Sequence, residues 1–322
     1  MKISKKIVSI LTATALVASL TGCGSNGSSS KKYTIGICQL MEHEALDAAT
    51  KGFKDTLTKK LGKDNVEFDE QNAQGESTNC STICNGFVTS NVDLILANAT
   101  GALQAATQAT ADIPILGTSV SDYATALNIK DWKGKTGTNV SGTSDLAPID
   151  QQEAILKEII PNAKKVGILY CSSEPNSAYQ SKLMQEALKK DGIAYKEYAI
   201  ADTNEVQSVT TAAAGECDVL YIPTDNTLAS VTETVYNVVA PAKIPVIAGE
   251  EGICNGCGVA TLSISYYDLG YATGEMAYEI LAEGADITTM DVRYAPNVTK
   301  KYNAKICEEL GITVPDDYVA IQ

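Results

Sequence analysis

Arginine, histidine and tryptophan are almost missing from this chain of 322 residues. Its only histidine is His43, its only tryptophan is Trp132 and its only arginine is Arg293. A planar guanidinium clamp for a carboxylate or phosphate is therefore excluded unless Arg293 reaches the ligand. A lone histidine without Cys/His spacing predicts no metal site, and no Gly-x-Ser-x-Gly motif is present to pair with it. We predict that the protein is not an enzyme and uses no metal and no cofactor.

The first 22 residues are typical of an export signal. Three lysines precede an apolar stretch, 7–20, that is short for a membrane-spanning helix. The sequence Leu-Thr-Gly-Cys at 20–23 resembles the bacterial lipobox, so we predict cleavage before Cys23 and lipidation of its thiol. An ordinary signal peptide with an incidental cysteine is the alternative. Residues 23–32, rich in serine and glycine, are expected to form a flexible tether.

The mature chain is short of positive charge. The full sequence has 25 Lys and Arg against 39 Asp and Glu, and removal of Lys2, Lys5 and Lys6 leaves 22 against 39, a formal charge of −17. Nucleic acid and anionic lipid headgroups are poor partners for such a surface. We therefore predict no nucleic-acid partner.

Two halves of the chain repeat one pattern. Ile-Gly-Ile at 35–37 and Val-Gly-Ile at 166–168 are offset by 131 residues, as are Ile-Pro-Ile-Leu at 113–116 and Ile-Pro-Val-Ile at 244–247. Each half alternates short apolar runs with amphipathic helices, which is typical of a parallel sheet covered on both faces. The repeat predicts an α/β fold of two lobes with a ligand cleft between the carboxyl edges of their sheets.

Polar turns after the predicted strands supply candidate ligand groups. In 219–231 a buried strand ends at Pro223 and a helix is predicted from Asn226 onward, so the turn between them presents helix N–H groups beyond the sheet edge. Asp225 is either only a helix cap or also a ligand contact. The candidate ligand-binding residues at this and the other turns are Gln39, Glu42, Thr100, Thr118, Ser119, Glu174, Asn176, Ser177, Asp225, Asn226 and Glu250.

Eight cysteines remain besides Cys23. The pairs Cys80/Cys84 and Cys254/Cys257 would form a zinc site only if they met, which their positions in different lobes disfavour. Cys254 and Cys257 are predicted to lie in a loop, where they are either a local disulfide or free thiols.

Five segments, in order along the chain, resemble a known family. They are Gln39 with Glu-His-Glu-Ala-Leu-Asp at 42–47, Asn-Ala-Gln-Gly at 72–75, Glu-Pro-Asn-Ser at 174–177, Pro-Thr-Asp-Asn-Thr at 223–227 and Tyr-Tyr-Asp-Leu-Gly at 266–270. Over nearly all of the mature chain they resemble the ABC-transporter substrate-binding lipoproteins that include tryptophan, tyrosine and phenylalanine binders. The resemblance implies the type I periplasmic-binding-protein fold, in which two Rossmann-like lobes are joined by a hinge of crossing strands. The chain departs from the family at Glu44, Gly101 and Tyr123, where proline is usual, all at turns near the expected cleft.

The predicted domains follow from the repeat and the resemblance. They are a signal peptide at 1–22, a tether at 23–32, a first lobe at 33–143 to which 265–285 returns, and a second lobe at 144–264 that 286–322 completes. Residues 130–143 are predicted to be the crossover between the lobes.

The predicted function is capture of a small solute for an ABC importer, with the lobes closing about the hinge. An aromatic or apolar L-amino acid is the first candidate: Thr100, Thr118, Ser119 and the N–H groups of the third predicted helix would hold its carboxylate. Asp225, with Glu250 as the second candidate, would hold its ammonium group. A sugar or nucleoside is the alternative, although one tryptophan and one arginine offer such ligands little. The expected partners are the permease and ATPase subunits and the membrane, through Cys23. We expect a monomer on the extracytoplasmic side.

Overall fold

The structure, a computed structural model, describes residues 31–295 and 297–321. The predicted signal peptide, Cys23 and most of the predicted tether lie outside these residues. Within them, no helix has both the length and the apolar character needed to cross a membrane.

Two separate sheets organise the chain. The first has six parallel strands in the order β11-β5-β4-β3-β1-β2. They are β1 (Tyr33–Gln39), β2 (Val66–Asn72), β3 (Leu94–Asn98), β4 (Ile115–Val120), β5 (Val140–Ser144) and β11 (Arg293–Tyr294). The second sheet has seven strands in the order β13-β12-β10-β9-β8-β6-β7, and only the β10–β12 pair is antiparallel. These are β6 (Lys165–Cys171), β7 (Ala194–Ile200), β8 (Val219–Ile222), β9 (Val246–Ala248), β10 (Ala260–Ser263), β12 (Thr299–Tyr302) and β13 (Val319–Ala320).

Helices cover both faces of each sheet. The first sheet and its helices form the first lobe, with α1 (Glu44–Leu61), α2 (Ser77–Thr89), α3 (Thr100–Ala109), α4 (Tyr123–Ala126) and α11 (Tyr266–Glu283). The second lobe contains α5 (Ile149–Ile159), α6 (Pro175–Lys190), α7 (Val206–Ala214), α8 (Asn226–Ala229), α9 (Thr232–Ala242), α10 (Glu251–Cys257) and α12 (Ala304–Leu310). Short 3₁₀ turns lie at Lys63–Asn65, Thr203–Glu205 and Ile287–Thr289. The two-lobed α/β fold predicted from the repeat is confirmed.

Three crossovers connect the lobes, between β5 and α5, between β10 and α11, and between β11 and β12. The helix after the second crossover, α11, packs closely along α1 because glycines face the contact. A Cβ on Gly270 would come within 1.9 Å of the Ala49 carbonyl oxygen, and one on Gly52 within 2.1 Å of that of Tyr267. Ala45 and Ala49 of α1 also join the apolar core that continues into the second lobe.

Two expectations about chain organisation are corrected. Residues 130–143, the end of the predicted first lobe, are predicted to be the crossover, but Val140–Ser144 forms β5, a buried strand of the first sheet, and the crossover follows it. Residues 286–322 were expected to complete the second lobe, but Arg293–Tyr294 pairs with β5 in the first. This segment stays with the first lobe because Val292 is buried in its core and Arg293 forms an ion pair with Glu279 of α11, at 2.7 Å.

The helix predicted from Asn226 onward is two helices, α8 and α9, separated at Val231. Val231 leaves the helical conformation, with φ −135° and ψ 34°. The predicted apolar spacing nevertheless holds at Leu228 and Val235, which are both fully buried.

Candidate functional site

Hydrogen bonds join the lobes across the carboxyl ends of the two sheets. His43 Nε2, before α1, lies 3.1 Å from Asn226 Oδ1 at the start of α8. Gln180 of α6 donates from Nε2 to Ser121 Oγ at 2.9 Å, while its Oε1 accepts from the Thr224 amide at 3.1 Å. The lobes therefore face one another in direct contact, with polar side chains between them.

Cavities line this boundary on either side of the cross-lobe contacts. One, of about 210 Å³, lies between Leu40, Met41 and Gly101 of the first lobe and Glu174 and Asn176 of the second. A second, of about 280 Å³, brings Glu42, His43 and Glu44 against Glu250 and neighbouring residues of the second lobe. A third, of about 340 Å³, lies at the hinge and also includes Glu250. The predicted cleft is thus lined by both apolar and acidic groups.

The start of α3 is held in a strained conformation at this cleft. Ala99, directly before the helix, has φ 92° and ψ 160°, a region almost reserved for glycine. No side chain of the described residues caps α3. The N–H groups of a helix's first turn have no partner inside the helix, so Thr100, Gly101 and Ala102 present donors and the positive end of the helix dipole.

The next strand, β4, also ends in a strained residue. Ser119 has φ 55° and is 6% exposed, and its Oγ has no hydrogen-bond partner in the part of the chain that the structure describes. The predicted carboxylate contacts Thr100 and Ser119 are therefore placed together, because β3 and β4 are neighbours with Asn98 opposite Thr118. Backbone strain of this kind is concentrated at functional sites.

Two of the predicted ligand-binding residues, Gln39 and Thr118, use their side chains in hydrogen bonds within the first lobe. Gln39 donates from Nε2 to the Met41 carbonyl at 2.9 Å and to Asp47 at 2.6 Å, and accepts from Thr50 at 2.6 Å. The Thr118 hydroxyl lies 3.2 Å from that of Thr143. Gln39 thus braces the turn into α1, and Thr118 ties β4 to β5.

In the second lobe the Glu174 carboxylate organises the start of α8. Its Oε1 accepts from the amide and hydroxyl of Thr227, both at 2.7 Å, and its Oε2 accepts from the side chain of Asn226 at 2.6 Å and from its amide at 3.1 Å. Asn176 donates to the same oxygen at 3.1 Å and to Ser177 Oγ at 3.3 Å. The Oδ1 of Asn176 is buried and, among the described residues, has no partner.

Asp225 is the N-cap of α8, which is one of the two roles predicted for it. Its Oδ1 accepts from the Leu228 amide at 2.8 Å and its Oδ2 from the Cys171 amide at 2.6 Å. Burial, with Glu174 nearby, raises the pKa of Asp225 to about 8.

Glu250 has the same arrangement at α10, accepting from the amides of Gly252 and Ile253 at 2.6 and 2.5 Å. Burial raises its pKa to about 7. Glu42 is exposed at the cavity it shares with Glu250.

Asp145 and Tyr266, which sequence reasoning missed, meet where two crossovers pass each other. Asp145 follows β5 and is 3% exposed; its Oδ2 accepts from the Tyr266 hydroxyl at 2.9 Å. Within residues 31–295 and 297–321 its Oδ1 has no hydrogen-bond partner. Burial raises the pKa of Asp145, while Ser121 and Tyr266 act in the opposite sense. A polar residue directly after a strand was the available signal, but β5 itself was not predicted.

The buried carboxylates of the cleft lack cationic partners. No ion pair among the described residues includes Asp145, Glu174, Asp225 or Glu250. Arg293 does not supply one, because it pairs with Glu279. Buried carboxylates are stabilised by an opposite charge, and a ligand with a positive group would provide it.

Two other expectations are settled by the structure. Tyr123 packs in the first-lobe core rather than lining the cleft: its hydroxyl donates to the Thr143 carbonyl at 3.1 Å and its ring stacks on Trp132. All eight described cysteines are buried free thiols. Cys254 and Cys257 lie in the helix α10 and not in a loop, since both pack into the second-lobe core.

This architecture is two α/β lobes that face one another across a polar cleft. The model of the ABC transporter substrate binding protein family matches residues 34–321. The chain belongs to this family, and it is an extracytoplasmic substrate-binding protein of an ABC transporter.

Relatives with related ligands are similar over most of their length. The chain is 42% identical over 307 residues to the tyrosine-binding protein of Clostridioides difficile, covering 89% of this chain and 88% of that one. It is similar to the ABC domain from Streptococcus pneumonia in complex with L-Trp, with a TM-score of 0.85 at 33% identity, covering 89% and 97% of the two chains. A ligand-free, open substrate binding protein with adhesive properties from Clostridium difficile superposes less well despite 40% identity, with a TM-score of 0.69 and coverage of 90% and 100%. The chain therefore superposes better on the L-Trp complex than on the open structure.

Proposed function

We propose that this protein binds an aromatic L-amino acid between its lobes and delivers it unchanged to a permease and ATPase. The proposal rests on one observation: groups that favour an anion and groups that favour a cation face the same cleft. The uncapped start of α3 favours an anion, whereas buried carboxylates without cationic partners favour a cation. A zwitterion satisfies both. The tyrosine-binding relative and the L-Trp complex support an aromatic side chain.

The cleft also offers an apolar wall for that side chain. Leu40, Met41 and Ala105 of the first lobe and Pro175 of the second border the same cavity as Glu174 and Asn176. Pockets of this kind combine apolar walls with a few polar groups that fix orientation. We place the ring of the ligand in this cavity.

Calorimetry and thermal shift with a ligand panel test the proposal. L-tyrosine, L-tryptophan and L-phenylalanine are compared with aliphatic amino acids, sugars and nucleosides. Saturation at ~100 times Kd adds about 2.7 kcal/mol to the free energy of unfolding. We expect a large shift with at least one aromatic amino acid; binding of a sugar or nucleoside in preference to all amino acids would overturn the assignment.

We further propose that a lipid on Cys23 anchors the mature protein to the outer face of the membrane. The support is the Leu-Thr-Gly-Cys sequence at 20–23. Cys23→Ala should release the protein from the membrane fraction while leaving its ligand affinity unchanged, because Cys23 precedes the first strand by ten residues. Retention of this variant in washed membranes would contradict the anchor.

A further inference from the structure

We propose that Asp145 binds the ammonium group of the ligand and that Tyr266 positions it to do so. The inference rests on the proposed function, since it assigns one half of a zwitterion. Asp145 lies on the crossover from β5 to α5, and Tyr266 is the first residue of α11, after the second crossover. Both are more than nine-tenths buried.

One oxygen of the Asp145 carboxylate accepts a hydrogen bond and the other has no described partner, although burial raises the pKa of the group and the nearby Ser121 hydroxyl acts to lower it. Oδ2 accepts from the Tyr266 hydroxyl at 2.9 Å, whereas Oδ1 has no hydrogen-bond partner in the described chain. A buried polar atom without a partner costs about 1–3 kcal/mol, and more for a charged group, so a ligand group that bonds to Oδ1 would remove this cost. An ammonium group has three donors and carries the charge that this carboxylate lacks.

Asp225 and Glu250 differ from Asp145 in this respect. Each uses both carboxylate oxygens to accept backbone N–H groups at the start of its own helix or of a neighbouring segment. Helix capping therefore accounts for their presence. Asp145 caps no helix, because the N-cap of α5 is Pro148.

Groups near Asp145 are able to bind the carboxylate group of the zwitterion. Its amide donates to the Val120 carbonyl at 3.3 Å, which places it beside the carboxyl end of β4 and next to Ser119. The start of α3 follows the adjacent strand, β3. Neighbouring strands are about 4.8 Å apart. Because β4 lies between β3 and β5, the start of α3 and Asp145 are two such spacings apart, roughly 10 Å, which leaves room for a ligand whose ammonium and carboxylate groups share one carbon atom and each form a hydrogen bond.

Tyr266 keeps the arrangement in place from the hinge. Its hydroxyl occupies Oδ2 and leaves Oδ1 for the ligand, and Ser121 beside Asp145 is held by Gln180 of the second lobe. Since Asp145 and Tyr266 belong to different crossovers, occupation by an ammonium group would stabilise both where the lobes hinge.

The test compares aromatic amino acids with their des-amino analogues by calorimetry. L-tyrosine and L-tryptophan are paired with 3-(4-hydroxyphenyl)propionate and 3-indolepropionate, which keep ring and carboxylate but lack the ammonium group. For Asp145→Asn we expect the affinity for the amino acids to fall roughly thirtyfold or more, the loss typical of breaking a buried charge pair, while the analogues bind within about threefold of wild type. Tyr266→Phe should reduce the same selectivity by about three- to tenfold.

Three further variants sharpen the comparison. Glu153→Gln is the matched control, because Glu153 is 4% exposed and has an oxygen without a partner among the described residues, yet it lies on α5 away from the cleft cavities. Asp225→Asn and Glu250→Gln are the rivals for the ammonium role. We expect all three to keep the wild-type preference for the amino acid over its analogue.

The outcomes separate the inference from the proposed function. If the wild-type protein binds no aromatic amino acid, both fail. If it does bind one and Asp145→Asn keeps the preference, or if Asp225→Asn or Glu250→Gln alone removes it, the inference is overturned while the function stands. Asp145→Ser repeats the test should the asparagine variant not fold, and the melting temperature of each ligand-free variant verifies folding.

Discussion

The two lobes differ in the hydrogen bonds formed by the polar groups that follow their strands at the cleft. In the second lobe, Asp225 and Glu250 accept from backbone amides of the helices they precede, and Glu174, which precedes α6, accepts from two amides of α8. In the first lobe, α3 is uncapped by any described side chain, and Ser119 and Asp145 have polar atoms without described partners. The second lobe thus uses its cleft carboxylates to bind its own helices, although Asn176 Oδ1 has no described partner, whereas the first lobe leaves the start of α3, Ser119 Oγ and one oxygen of Asp145 without described partners. We therefore expect the loss of a carboxylate in the second lobe to reduce stability, and the loss of one in the first lobe to reduce ligand affinity.

The largest effect is expected at Glu174. Glu174→Ala leaves the amides of Asn226 and Thr227 and two side chains without their acceptor. Since hydrogen bonds to a charged group contribute about 1.5–3 kcal/mol each and are not additive, we expect a loss of about 2–5 kcal/mol in the free energy of unfolding, measured by urea denaturation. Asp145→Asn, in the first lobe, should leave stability unchanged or raise it. A stable Glu174→Ala would remove the contrast between the lobes.

The pH dependence of stability tests the two buried carboxyl groups of the second lobe, to which Asp145, whose pKa burial also raises, adds in the same direction. The pKa of Asp225 rises from 3.8 to about 8 on folding and that of Glu250 from 4.5 to about 7. Between these limits the folded protein holds protons that the unfolded chain has lost, so the free energy of unfolding falls as pH rises. We expect a fall of up to about 1.4 kcal/mol per pH unit for each group between pH 5 and 7.

Urea denaturation of the ligand-free protein across this range measures the dependence. Asp225→Asn and Glu250→Gln should each flatten it, since they remove the titrating group and keep its shape. Stability that rises with pH over this range would show that burial does not dominate these two carboxyl groups.

The strain in the first lobe gives a smaller effect. Ala99→Gly relieves the conformation at φ 92°, which costs on the order of 1–3 kcal/mol for a residue with a Cβ, against about 0.5–1 kcal/mol of additional chain entropy for glycine. We expect a net gain of about 1 kcal/mol in the free energy of unfolding, measured by thermal or urea denaturation. Ser119, at φ 55°, offers a parallel case for Ser119→Gly. Destabilisation by Ala99→Gly would mean that its backbone is not strained.

The smallest effect is expected at the contact that joins the lobes. His43→Phe keeps a ring but loses the hydrogen bond to Asn226, and should weaken ligand affinity by about 0.5–1 kcal/mol, or two- to fivefold, because closure loses one neutral hydrogen bond. His43→Gln, which can still donate, is the control. Calorimetry on both variants measures the change in ligand affinity. Equal affinities for wild type and His43→Phe would show that the contact does not contribute to closure of the lobes.

Sequence alone was sufficient for the fold class and the family, because these depend on periodicity and short local patterns. It was also sufficient for the capping role of Asp225, which follows from a polar residue between a buried strand and a helix. The interval of 131 residues between matching segments predicted two lobes before any contact was known.

Tertiary structure decided where the hydrogen bonds are satisfied and where they are not. Val-Ser-Gly-Thr-Ser at 140–144 has no apolar run, yet it is a buried strand because Ser141, Thr143 and Ser144 find partners on other elements. Without that strand the position of Asp145 could not be predicted. Whether a carboxylate caps a helix or retains a free oxygen depends on atoms distant in sequence, such as the Tyr266 hydroxyl 121 residues away. Local pattern thus specifies the elements, while the distribution of buried polar partners, which specifies the site, exists only once the lobes have packed.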